Sequence, residues 1–113
     1  MEAFDADLIR SSTETIVLAA LADEPKYGYQ ILQALRSRAG GAVGLSAGTL
    51  YPILHRLEVA GAVRASWKAG TTRKRKYYAL TPKGKRRLRA KADEWQRFNA
   101  LVESLLKPAL ASL

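Results

Sequence analysis

Twelve lysines and arginines fall between residues 59 and 92, and no acid falls among them. Residues 1–58 carry five basic and seven acidic side chains, and residues 93–113 carry two and three, so this one segment holds the whole formal net charge of +9. Like charges crowded this closely repel one another unless a polyanion neutralises them. A concentrated basic patch is therefore the electrostatic footprint of a nucleic-acid partner. Its densest part is "TTRKRK" (71–76), where Arg73, Lys74, Arg75 and Lys76 follow one another. Ahead of it lies a second group that offers hydrogen bonds: Ser46, Thr49 and Tyr51, with His55 and Arg56 one turn further on. Hydroxyls near the start of a helix can bond base edges or phosphates, and small neighbours let the backbone come close.

Other chemistries have few candidates. There is no cysteine, which excludes thiolate metal sites and a disulfide framework. His55 is the only histidine and has no partner ligand of its kind, so no metal site is expected. Nucleophilic triads lack members. The acid pairs Asp23–Glu24 and Asp93–Glu94 are neighbours in sequence, not an acid and a base facing across a cleft. "GTTRKRK" is not a Walker loop, and "GGAVG" does not follow a strand in a βαβ unit. The chain is read as a non-enzyme with no catalytic residue and no cofactor. "MEAFDADLIR" has acids where a signal peptide needs basic residues, and the longest apolar run, "IVLAALA" (16–22), is too short to span a bilayer. A cytoplasmic protein without a membrane partner is expected.

The elements that must position these groups follow from periodicity and punctuation. A first helix is expected from about Asp7 to Ala22. Its "TIVLAALA" is apolar nearly all round and should be buried on more than one side. A second, about Tyr27 to Arg38, turns Ile31, Leu32 and Leu35 inward. After the glycine-rich break "AGGAVGLSAG" (39–48), Ser46 is placed to cap a third helix, and Gly61 to end it in the left-handed conformation. Leu50, Ile53, Leu54 and Leu57 form its buried face. Pro52 interrupts that pattern at a cost of ~3 kcal/mol for a helix interior. Either "AGTLYP" is a loosened or kinked first turn that projects Thr49 and Tyr51, or the helix begins near Thr49 and the proline is tolerated early.

The period then changes from 3.6 to 2. "AVRASWK" (62–68) puts Val63, Ala65 and Trp67 on one face, and Trp67 is expected in the core or an interface. "KYYAL" (76–80) is β-prone, with Tyr78 assignable to either face. "AGTTRKR" (69–75) between them reads as a basic hairpin tip. Thr81 and Pro82 restart a helix as N-cap and N1, and Pro108 should limit it near Lys107. Three helices followed by a hairpin is the order of a winged helix-turn-helix, in which the third helix enters the major groove and the wing lies along the backbone. The fold expected is mainly α with a small β-hairpin. Residues 1–80 would form the winged helix-turn-helix DNA-binding domain and residues 81–113 a C-terminal dimerisation helix, in one compact unit. A basic RNA- or ribosome-associated winged-helix protein is the alternative. It would share the charge, but it has no need of a long amphipathic last helix.

Three stretches add a resemblance. "YGYQIL" (27–32), "GTLYPILHRLEVAGAV" (48–63) and "RKYYALTPKG" (75–84) resemble the PadR family of bacterial transcriptional regulators, over about residues 12–107. The length is similar to that of the small subfamily, which has a single C-terminal helix. The resemblance implies a homodimeric winged-helix protein, usually a repressor, on a palindromic operator in double-stranded DNA. It also implies that Tyr27, Ser46, Thr49, Tyr51 and the wing residues up to Tyr77 lie where the family meets DNA. One departure is visible. Similar sequences often turn the wing with Gly-Gly or Gly-Arg, whereas here Gly70 stands only at the start of a denser basic run.

The last helix carries Leu88, Trp95, Phe98, Val102 and Leu105 on one stripe, spaced 3, 4 and 3 from Trp95 as in a coiled-coil seam. With the first helix it is expected to clasp a second subunit about a twofold axis. Trp95 would then lie near its own copy. It either fills the interface or forms one wall of a slot for a planar aromatic or cationic molecule. Some small members of the family look like multidrug sensors with such a pocket, and Phe98 and Leu8 would line it beside Trp95.

Overall fold

The computed structural model describes residues 5–38, 44–69 and 73–113. Four helices and three short strands follow in the order α1 (Ala6–Ala20), β1 (Lys26–Tyr27), α2 (Gly28–Arg38), α3 (Ala47–Val59), β2 (Val63–Ala69), β3 (Lys74–Leu80) and α4 (Pro82–Ala111). The fold is mainly helical, with a small antiparallel sheet.

Asp5 opens α1 by accepting the backbone N–H groups of Asp7 and Leu8 at 3.1 and 3.4 Å. Such a cap satisfies donors that the helix itself leaves unpaired. Val17 and Leu18 are fully buried and Thr13 and Ala20 nearly so, because α1 packs against α2, α3 and α4. The all-round apolar "TIVLAALA" is thus explained by three neighbours. Past its end, Lys26 is buried. Its ammonium donates to the Ala20 carbonyl at 2.8 Å and to Asp23 Oδ1 at 2.6 Å. A buried ammonium is tolerable only with partners of this kind, and the end of a helix favours a cation. The hydrogen bond from Lys26 in turn holds the Asp23 carboxyl below its ordinary range.

The sheet has three strands in the order β1-β3-β2, not two. Lys26 pairs with Tyr78 and Tyr27 with Tyr77, so the second helix begins at Gly28 and Tyr27 belongs to a strand. Two residues are too few to display a period of 2, which is why this strand is invisible in the sequence.

Ser46 caps α3. Its hydroxyl accepts from the Thr49 N–H at 3.2 Å, and its carbonyl accepts from both Thr49 and Leu50, at 3.1 and 3.0 Å. The first turn is therefore shared between 3₁₀ and α bonding, as is common at helix ends. The helix starts at Ala47, ahead of Thr49, which leaves Pro52 in its second turn. Pro52 deprives the Gly48 carbonyl of its donor. Both residues face outward and are exposed, so that carbonyl is left to solvent and the penalty of a buried orphan group is avoided. The other end closes as a Schellman motif. Gly61 adopts φ +76°, the Ala62 N–H donates to Leu57 O at 2.8 Å and the Gly61 N–H donates to Glu58 O at 3.0 Å.

Leu50, Ile53, Leu54 and Leu57 enter the core from α3 and meet Val17, Leu18, Ile31, Leu35, Ala62, Val63 and Tyr78. Trp67 does not follow Val63 inward. It is 66% exposed, because β2 and β3 run out past the helical body before they reach it. Thr81 caps α4. Its hydroxyl accepts from the Gly84 N–H at 3.0 Å and donates to the Gly61 carbonyl at 2.6 Å. Gly84 lies so close to the α3–β2 turn that a Cβ there would sit 1.9 Å from the Ala62 carbonyl oxygen. Pro108 does not end α4, which continues to Ala111. The carbonyl that Pro108 frees is that of exposed Ser104, in a part of the helix where water replaces the lost donor.

Candidate nucleic-acid interface

The side of α3 away from the core is a low ridge of Gly48, Pro52 and His55, all exposed. Its two flanks differ. On one, Ser46 Oγ and Thr49 Oγ1 stand 3.2 Å apart at the helix start. Arg56 follows on that same flank, in a groove against α1 that also takes in Arg10, Ser11 and Glu14. On the other flank stands Tyr51, about half exposed, with its phenol against the start of α2. A Cβ on Gly28 would sit 2.2 Å from the Tyr51 hydroxyl, so the aromatic lies in space that only glycine leaves open. Thr49 and Tyr51 therefore address different sides of the helix, and Arg56 lies away from the wing.

The two faces of the wing also differ. On the outer face the rings of Tyr27 and Tyr77 meet edge to face at 5.3 Å. Arg75 stacks over Tyr27 at 4.4 Å and Lys68 over Tyr77 at 5.0 Å. These contacts stiffen the two-stranded extension while leaving its cationic heads wet. On the inner face, toward α3, Lys76 lies 3.5 Å from Glu58 and 5.6 Å from the centre of the Tyr78 ring. Tyr78 is buried, which pushes its phenol above the ordinary value. Arg73 and Lys74 are exposed at the start of β3, whereas the residues of the tip at 70–72 lie outside the described part.

Between the wing, α3 and the start of α2 runs a cleft of about 810 Å³, lined by Tyr29, Tyr51, Trp67, Arg73, Lys74 and Lys76 and reached from the outer face by Tyr27 and Arg75. Of the ten residues expected at a nucleic-acid surface, Tyr27, Tyr51, Arg73, Lys74, Arg75 and Lys76 come together around this cleft. Tyr77 backs it from the outer face, Ser46 and Thr49 stand on the far flank of α3, and Arg56 shares with Thr49 the groove against α1. Trp67 and Tyr29 were not foreseen there. The alternation of β2 marks the face Trp67 shares with Val63, but not how far the strand overhangs the body.

The other predicted group lies along α1 and α4. Leu8 and Trp95 line one apolar cavity of about 460 Å³ between α1 and α4, with Ile9, Ile16, Leu88 and Ala92. Phe98 stands outside that cavity and shares with Trp95 a neighbouring groove beside Ser11 and Ser12. Glu14 and Arg87 form an ion pair that fastens α1 to α4 nearby. Among the described residues there is no cluster suited to a metal ion, and no helix is long and apolar enough to cross a membrane.

A capped helix that turns one side into the core and its polar side outward, beside a stiffened basic wing, is the architecture of a winged-helix protein. The chain belongs to the transcriptional regulator PadR-like family, which matches residues 17–90. A transcriptional regulator from Clostridium thermocellum is 29% identical and superposes with a TM-score of 0.83, covering 90% of this chain and all of that one. A PadR family transcriptional regulator from Eggerthella lenta is 35% identical with a TM-score of 0.78, over 89% of this chain and 87% of that one. A transcriptional regulator of Mycobacterium tuberculosis is 38% identical across 76 residues, which are 67% of this chain and 68% of its own. The protein is accordingly a DNA-binding transcriptional regulator and not an enzyme.

Proposed function

We propose that the protein is a homodimeric repressor that holds a palindromic operator and lets go when a small aromatic or cationic molecule binds between its subunits. The observation that carries this reading is the state of α4. Trp95 is 55% exposed, Phe98 63% and Leu105 63%, and Leu101, Leu106 and Leu110 are exposed beside them. Only Gly84 is buried in its 30 residues. So long an apolar stripe in water is costly at roughly 25 cal/mol per Å², and the 3, 4, 3 spacing suits a second copy of the same helix. In this reading residues 1–80 hold DNA and residues 81–113 hold the partner, with α1 belonging to both.

Two copies of α3 related by a twofold axis would meet half-sites roughly 34 Å apart, one turn of duplex. Ser46, Thr49 and Tyr51 would contact bases and nearby phosphates, with Arg56 at the α1 side, while Arg73, Lys74, Arg75 and Lys76 neutralise phosphates and Tyr27 and Tyr77 brace them. The apolar cavity that joins Leu8 to Trp95 is the candidate effector site, with Phe98 at its rim. A ligand there acts only by binding one dimer geometry better than another. Sedimentation should give about twice the 12.4 kDa of the chain, and a gel shift should retain duplex DNA from the gene's own upstream region in preference to structured RNA. A planar cationic dye at micromolar concentration should quench Trp95 and release the DNA. A monomer at micromolar concentration would refute the dimer, and equal affinity for RNA would favour the ribosome-associated alternative.

A further inference from the structure

Among the described residues, no ring or cation contact gives Trp67 a structural task. It stands on the inner face of the wing, opposite Lys76 in the strand register, and two thirds of its surface meets solvent. With Tyr29 and Tyr51 in the same cleft, this indole forms an exposed aromatic patch such as a partner covers. Its surroundings say which kind. Lys74, Lys76 and Arg73 rim the same cleft, and Tyr51 and Tyr29 form the wall across from it. Both tyrosines keep about half of their surface exposed. The cleft is thus basic at its rim and aromatic on its walls.

Duplex geometry determines what can pass through it. A helix in the major groove and a wing reaching toward the adjacent minor groove are separated by one sugar–phosphate strand. With α3 as the groove helix, the reading on which this inference rests, that strand runs through the cleft. Its phosphates meet the lysines and arginines. Its deoxyribose rings offer apolar faces and carry no charge, and the surface suited to them is the indole.

We infer that Trp67 is a nonionic anchor for DNA, packing against the deoxyribose of the strand that threads between α3 and the wing and so setting how deeply the wing seats. It makes no base-specific bond, and its contribution is common to all sequences. It differs from the wing cations in its salt dependence, because an apolar contact releases no counterion whereas each neutralised phosphate does.

The test uses the full-length chain and duplex DNA from the gene's upstream region, titrated from low to moderate salt. Trp67→Ala should bind about tenfold more weakly at every salt concentration, leaving the slope of log K against log salt unchanged, and Trp67→Phe should recover most of the loss. Hydroxyl-radical footprinting, which reads exposure of the sugars, should show protection by the wild type on the strand between the two grooves. That protection should fade in Trp67→Ala. Its exposure makes the variant fold like the parent, and unchanged circular dichroism and melting should show this. Wild-type affinity in Trp67→Ala, or a slope that falls as it does for an arginine variant, would overturn the inference while leaving α3 as the groove helix. If the wild type retained no duplex DNA at all, the reading of α3 would fail and Trp67 with it.

Discussion

Gly84 offers the sharpest test of how α4 is joined to the rest. A Cβ there would lie 1.9 Å from the Ala62 carbonyl oxygen and 2.9 Å from its carbon, where ordinary contact begins near 3.4 Å. Those atoms are backbone, at the Schellman turn that closes α3, and cannot swing aside as a side chain would. Gly84→Ala must therefore lift α4 off the turn by an ångström or more. Overpacking of this kind costs about 1–3 kcal/mol. Displacement also stretches the bond from the Thr81 N–H to Ala62 O, now 3.1 Å, at about 1 kcal/mol. Alanine returns about 1 kcal/mol of helix propensity. The net loss should be about 2 kcal/mol, a fall in Tm of roughly 8 °C for a domain of this size. Urea and thermal unfolding at one fixed protein concentration for both variants, so that the proposed dimer would contribute equally, would measure it. Gly48→Ala is the control. A Cβ there meets only Ser46 Oγ at 3.7 Å, so the substitution should stabilise by up to ~1 kcal/mol. A loss below about 0.5 kcal/mol in Gly84→Ala would refute the close seating of α4 on Ala62.

The other predictions concern DNA and acid. Gly28→Ala places a methyl where the Tyr51 phenol now rests; the phenol can swing away, so stability should change by less than about 1 kcal/mol while the preference for operator over random duplex in a competition gel shift narrows. Arg73→Ala and Arg75→Ala should weaken binding on all sequences alike and flatten the salt slope by roughly one unit per lost contact, and only Arg75→Ala should also cost about 0.5–1 kcal/mol of stability, through its stacking on Tyr27. The Asp23 carboxyl is held below its ordinary value of 3.8, first by the hydrogen bond from Lys26, so its contribution to stability is complete above that value and is lost as pH falls below it. Acid unfolding curves of Asp23→Asn should lack that part of the decline.

Signals that act over a few residues were legible in the chain. Ser46, Gly61, Thr81 and Pro82 took the predicted capping roles, because a cap is decided by the residue and its next three neighbours. The buried face of α3 followed from spacing alone. What depended on a distant partner did not. Tyr27 became a strand residue because Tyr77 was there to pair with it. Trp67 shares the alternation of Val63 but not its surroundings, since the point where a sheet leaves the core is set by the length of the helices beneath it. The sequence rule makes Pro108 a stop, yet α4 continues to Ala111, because at an exposed helix end a missing donor is inexpensive. The basic segment announced nucleic acid from composition alone, but the sorting of its side chains into an outer brace and an inner lining needed the strand register. Leu8 and Trp95, 87 positions apart in sequence, line one cavity between α1 and α4 of a single chain, with Phe98 outside it; the slot expected between two subunits is a different space and stays a proposal.

The joint between α3 and α4 has a mechanical consequence. Thr81 bonds to Gly61, its backbone to Ala62, and Gly84 rests on the same turn. Two hydrogen bonds and a close backbone approach at two successive residues resist pivoting of one helix on the other more than a single contact would. From Gly84 to Trp95 the helix spans about 16 Å. If α3 is the groove helix, as proposed, a tilt imposed near Trp95 should then reach it through this joint as a change in its angle.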